Sequence, residues 1–266
     1  MGDPGIGVPS SNVHLVVCLR HGRMTGLLKR DIDMRFLRLL VLGLWGVAAV
    51  ARADLPDYQV FPADSEQLLL WAAPERGRAE PELQAARLLA ERGVAVWSLD
   101  AVSAYFLPQL PSSMDALPAQ DMADWLRAAL DSRKQVAVYA VSRAAVPVLR
   151  GAALLQPAER QRLCMLLMYP NLYTVAEALS EPDYLDVGDL SGLRVRVLQP
   201  RRSAATPWLP GQLDHLARLG ATPSHVMLEN LREGYWVRET PTEFEIAESG
   251  RMDAMLLREL NAWGCK

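Results

Sequence analysis

Ser142 lies between two alanines in the run Ala140-Val141-Ser142-Arg143-Ala144, a spacing that can place a serine hydroxyl for nucleophilic attack. An apolar segment, Gln135 to Val141, ends on it, and an apolar helical segment, Arg143 to Leu155, follows with no linker. This is the strand–turn–helix setting of the G-x-S-x-G elbow. There a strained turn holds the serine clear of a sheet and tolerates only small residues two positions away. Here alanine replaces both glycines. Given a base and N–H donors for a developing oxyanion, such a serine performs acyl transfer. A serine at a strand end also serves as a plain helix N-cap, so its partners decide between the two roles.

The elements that must position it alternate along the chain. Strands are expected at Gln67–Ala73, Val94–Leu99, Gln135–Val141, Cys164–Tyr169, Leu193–Leu198 and His225–Leu231, with an extra one near Tyr58–Phe61. Helices are expected at Pro81–Arg92, Pro118–Ser132, Arg143–Leu155, Gly211–Leu219 and Ser249–Trp263, where apolar residues recur at helical spacing. Gly93 closes the first helix. Short apolar strands alternating with amphipathic helices imply βαβ units, hence an α/β fold of three layers around a mostly parallel sheet. Leu107–Pro118 and Leu172–Ser191 read as surface excursions over one end of that sheet.

The strand–Ser–helix unit, the later strands in order and the terminal helix resemble the α/β-hydrolase superfamily. Gly93-Val-Ala-Val-Trp-Ser-Leu-Asp100, Tyr105-Phe106, Ser142 and Val146-Pro147 distantly resemble periplasmic VirJ-type virulence proteins. The superfamily resemblance implies a Ser, Asp/Glu, His triad, each member following a strand. The position of the acid reads Gln199-Pro200-Arg201-Arg202-Ser203-Ala204-Ala205-Thr206, which has no carboxylate. The position of the histidine reads Glu233-Gly234-Tyr235-Trp236. His225, at the start of its expected strand, would lie roughly 20 Å from the active end, and His215 falls within a helix. Glu233 is then either an unusual base for Ser142 or, more simply, the ion-pair partner of Arg201 or Arg202. The oxyanion loop, Ala73-Pro74-Glu75-Arg76-Gly77, lacks a glycine run, and Pro74 has no N–H. The Arg143 backbone N–H is the remaining donor.

Other residues suit a ligand pocket at the carboxyl ends of the strands: Asp100, Tyr105, Phe106, the Arg143 side chain, Tyr235 and Trp236. Trp97, Trp125, Met165, Met168, Met252 and Met255 sit at core spacing and imply no cofactor. Glu181, Asp183, Asp186 and Asp189 read as a solvated acidic loop rather than a calcium site, and no zinc motif is present. Cys164 and Cys265 are compatible with a disulfide or with two thiols.

The chain has 266 residues, 50% hydrophobic and 22% charged, enough for a sizeable core. Met34–Ala53 has a basic start, a short apolar centre and a small-x-small end. It is expected to be a secretory signal peptide cleaved before Asp54; an uncleaved anchor is the alternative. Residues 1–33 then read as an upstream extension, in which Arg20-His21-Gly22 imitates a histidine-phosphatase motif by accident. The part from 54 to 266, one expected domain, keeps 21 basic and 28 acidic residues, a net charge of −7, and no basic stripe for nucleic acid. Without a triad acid or histidine, the expectation is a periplasmic or secreted, catalytically inactive binding or scaffold protein. It would serve a small-molecule or protein partner, use no cofactor and touch the membrane only through its signal peptide. The alternative is an atypical serine esterase using Ser142.

Overall fold

A computed structural model describes residues 55–174 and 182–264. The expected signal segment, Cys265 and Glu181 lie outside those residues. The β-strands are β1 (Tyr58–Phe61), β2 (Gln67–Ala72), β3 (Ala95–Leu99), β4 (Gln135–Val141), β5 (Leu163–Met168), β6 (Arg194–Pro200) and β7 (Thr222–Leu228). They form one sheet in the order β1-β3-β2-β4-β5-β6-β7. All neighbours run parallel except β1, which lies antiparallel on β3. The helices are α1 (Glu80–Glu91), α2 (Ala101–Ala104), α3 (Pro111–Asp115), α4 (Ala119–Asp131), α5 (Ala145–Ala153), α6 (Pro157–Arg160), α7 (Leu209–Arg218), α8 (Glu243–Ser249) and α9 (Met252–Ala262).

Both faces of the sheet are covered, so the central strands are apolar throughout rather than alternating. Along β4, Val136, Val138 and Ala140 enter one core with α4 and α5. Ala137, Tyr139 and Val141 enter a second core with α1 and α9. Helix α4 buries Met122, Trp125, Leu126 and Leu130 along one face, as its periodicity requires. It meets α5 at unusually short range: a Cβ on Gly151 would fall 2.6 Å from the Met122 Cβ and 2.9 Å from the Ala123 backbone nitrogen. Only glycine fits there.

Several expectations need correction. The stretch 107–118 contains α3, and of the second excursion Leu172, Val187 and Leu190 are core residues. The last strand begins at Thr222, not His225, so His225 sits mid-strand opposite Val197. The expected final helix is α9, and a further short helix, α8, precedes it and starts with a capping box. Thr242 Oγ1 accepts the Glu245 N–H, and the Glu245 carboxylate accepts the Thr242 N–H.

Candidate functional site

Ser142 sits at the carboxyl end of β4 with φ +54°, in the left-handed region that a non-glycine residue rarely adopts. Ala140 and Ala144 on either side are 0% and 2% exposed, which explains why nothing larger stands there. The Asn171 N–H donates to the Ser142 carbonyl at 3.1 Å and fixes the turn. The N-cap role expected for Ser142 is not observed. Its side chain caps no helix; its hydroxyl donates to Glu75 Oε1 at 3.4 Å. The Arg143 N–H donates to Glu75 Oε2, also at 3.4 Å.

Glu75 reaches this point because its loop is pinned. Ala73 N–H bonds the Leu99 carbonyl at 2.9 Å, and Arg78 N–H bonds Asp100 Oδ2 at 3.2 Å. Gly77 has φ +80° and packs so tightly on Asp100 that a Cβ would come within 2.9 Å of Oδ2. The other oxygen of Asp100 accepts the Ser103 N–H and caps α2. Asp100, which its position at a strand end suits either to a ligand or to hydrogen bonds from the loop that follows, makes the latter to Ser103 and also braces the loop that carries Glu75.

The Arg143 side chain is likewise a brace. It is buried, with Nε and Nη2 on the two Asp115 oxygens at 2.7 and 2.6 Å. Nη1 reaches the Asn171 carbonyl and Oδ1 at 3.2 Å and the Tyr173 carbonyl at 2.6 Å. Tyr105 gives its hydroxyl to Asp121 at 2.5 Å, and burial, reinforced by that bond, raises its pKa. Phe106 is 95% exposed at φ +53°. Trp97 stacks on Tyr58, and Trp125 is core, as expected. Tyr235 is buried and packs edge-on against Trp236.

A cavity of about 590 Å³ opens over the elbow, lined by Ser142, Glu75, Glu82, Tyr169, Glu233 and Trp236, with Arg76, Arg78 and Arg238 around them. The expected ion pair of Glu233 with Arg201 or Arg202 is not formed. Arg201 pairs with Glu229 through two contacts of 2.7 Å, while Glu233 accepts the Ser203 hydroxyl at 2.8 Å. His215 bonds the Leu185 carbonyl and stacks on Tyr184. Among the described residues no cluster could hold a metal ion, and Asp186 and Asp189 cap their own loop through Gly188 and Ser191.

Glu82 and Tyr169 were not singled out in the sequence. Glu82 is 2% exposed at the third position of α1, where its Oε2 accepts the Ala79 N–H at 2.8 Å. Burial lifts its pKa to about 7, against the opposing pull of that N–H and of the Trp71 and Trp236 indoles. The buried Tyr169 hydroxyl is held well above its ordinary pKa, first by burial and then by the negative charge of Glu82, Glu233 and Glu75. Neither residue belongs to a motif, and helical spacing shows only that Glu82 lies in a first turn.

This architecture, with a strained serine at the end of a central parallel strand, matches solved structures closely enough to place the fold. A Pyrobaculum calidifontis esterase superposes with a TM-score of 0.55 at 14% identity, covering 91% of this chain and 96% of its own. A protein assigned as a dienelactone hydrolase from Klebsiella pneumoniae gives 0.51 at 15% identity, covering 73% and 88%. The chain has the α/β-hydrolase fold. No protein-family model matches the sequence, and neither does any curated protein. These matches carry the superfamily fold and do not bear on the VirJ-type resemblance. They do correct the expectation of a catalytically silent scaffold, because the structures sharing this α/β-hydrolase fold are described as esterases and a hydrolase.

Proposed function

We propose that the protein is an atypical serine hydrolase of the esterase type, with Ser142 as nucleophile and the Arg143 N–H as oxyanion donor. One observation carries this reading: a planar carboxylate, that of Glu75, already bridges the Ser142 hydroxyl and the Arg143 N–H. An ester group placed there would meet the nucleophile at its carbon and the donor at its carbonyl oxygen. The serine attacks, the tetrahedral oxyanion settles on the Arg143 N–H, and the alcohol leaves an acyl-serine that water then hydrolyses. Glu75 must swing aside to admit the ester. The cavity volume suits small-molecule esters.

Reaction with a fluorophosphonate tests the proposal. Mass spectrometry should place the adduct on Ser142, with none on Ser142→Ala; an unlabelled wild-type protein would overturn the reading. Export belongs to the same proposal and is supported by the basic, apolar and small-residue order of Met34–Ala53. N-terminal sequencing of the secreted protein should begin at Asp54, and a chain retaining Met34–Val50 would favour the anchor.

A further inference from the structure

We propose that Glu82 is the proton-exchanging group of this site, filling the place of the imidazole that the elbow lacks. The inference rests on the serine-hydrolase reading above.

The cavity offers Ser142 three buried or half-buried carboxyl groups, and geometry separates them. Glu75 occupies the Arg143 N–H, the donor an ester oxygen requires, so it must withdraw as substrate enters. Glu233 is half-buried and engaged by the Ser203 hydroxyl. Glu82 lies fully buried against the cavity with one oxygen fixed by the Ala79 N–H. Its other oxygen, Oε1, is shut off from solvent and makes no well-formed hydrogen bond among the described residues, although the Trp71 and Trp236 indoles lie near enough to act on the carboxyl. Around it the Trp71 indole N–H and the Tyr139 hydroxyl are also buried without well-formed hydrogen bonds. A fold rarely leaves a carboxyl oxygen in that condition unless it has other work to do. Tyr169 lines the same cavity as Ser142, and its hydroxyl is under the electrostatic influence of Glu82, Glu233 and Glu75, which makes it the relay between serine and carboxyl.

As Ser142 Oγ bonds the acyl carbon, its proton passes through Tyr169 to ionised Glu82. As the alcohol's C–O bond breaks, that proton returns to the departing oxygen. Water then bonds the acyl carbon and gives its proton through Tyr169 to Glu82, and the Oγ–C bond breaks as Oγ recovers that proton by the same route. A residue that accepts and returns a proton works best when its pKa is near the working pH, and burial brings Glu82 to about 7. The titratable groups facing it are Tyr139 from β4, Tyr169 after β5 and Asp100 after β3, with Glu75, Arg76, Arg78, Glu233, Arg238 and Glu239 around the cavity.

The test is the pH profile of p-nitrophenyl acetate hydrolysis by wild type, Glu82→Gln and Glu82→Asp, with Ser142→Ala as the blank. Alongside it, infrared titration of the wild-type carboxyl bands follows Glu82 directly, whether or not the glutamine variant folds. Wild-type rate should rise with pH through a midpoint near 7. Glu82→Gln should lose about 10²- to 10⁴-fold and flatten the rise, while Glu82→Asp should keep a rise with a displaced midpoint. A folded Glu82→Gln with wild-type rate and profile, or a wild-type infrared titration with no carboxyl ionising near neutrality, would overturn the proposal for Glu82 alone. Unchanged hydrolysis by Ser142→Ala would instead remove the serine reading and this proposal with it.

Discussion

On one side of the Ser142 elbow lies Arg143, a fully charged group sunk into the protein with its donors engaged by Asp115, Asn171 and Tyr173. On the other lies Glu82, also buried, with an oxygen that makes no well-formed hydrogen bond although the Trp71 and Trp236 indoles act on the carboxyl, and with the Tyr139 hydroxyl buried without a partner. The first arrangement is that of a structural anchor, since a buried guanidinium is tolerable only when paired and hydrogen-bonded. The second does not minimise energy locally, because each unmet buried polar group costs on the order of 1–3 kcal/mol. Saturation therefore identifies the groups that hold the turn, and its absence the groups left able to exchange a proton.

Substitutions on each side should separate these roles. Ser142→Ala, at the centre, should abolish phosphonate labelling and lower ester turnover by roughly 10³-fold or more; a variant still turning over ester would place the chemistry elsewhere. Asp115→Ala leaves Arg143 buried and short of its carboxylate. It should cost about 3–5 kcal/mol in urea unfolding, toward the lower end because the Asp115 side chain is 30% exposed. A loss below about 1 kcal/mol, the range of surface pairs, would mean that Arg143 is not an anchor.

Glu82 should announce itself through pH. Its pKa is raised in the folded state, from 4.5 to about 7, so the native protein holds this proton more tightly than the unfolded chain does. The associated stability is fully present below the unfolded value and is lost as pH rises through the folded one, to an extent on the order of 3 kcal/mol. Glu82→Gln should remove that slope from urea midpoints measured between about pH 4.5 and about pH 7. An identical slope in both proteins would assign the proton to another group. The smallest effect belongs to Glu75→Ala, which frees the Arg143 N–H for substrate. Displacing a charge-assisted contact of about 1.5 kcal/mol corresponds to roughly tenfold faster labelling. Slower labelling would make Glu75 a participant rather than an occupant.

The sheet was legible because its central strands are continuous apolar runs, and even the short edge strand Tyr58–Phe61 falls where its sequence suggests. The start of β7 was not. At the open edge, Thr222-Pro223-Ser224 has no second neighbour and little need to be apolar, so its polarity concealed the strand. The elbow was legible from the alanines flanking Ser142. Its surroundings were not, since the burial of Glu82 and the reach of Glu75 depend on how β2, α1 and the 233–236 turn converge. The Arg143 side chain, expected to meet ligand, braces the site, as does Asp100, for which both uses were open, and nothing in residue type distinguishes the two uses. The missing histidine was visible at once, but it did not follow that the site is silent.

Gly151 governs how long the serine can stay strained. A left-handed φ at Ser142 would relax if α5 could slide along its axis and give the turn slack. With α4 and α5 in backbone contact at Gly151, that slide is blocked one and a half turns into α5. The hydroxyl is thus held on a spring whose far end is fixed, and the stiffness of the nucleophile is set nine residues away, by a side chain that is not there.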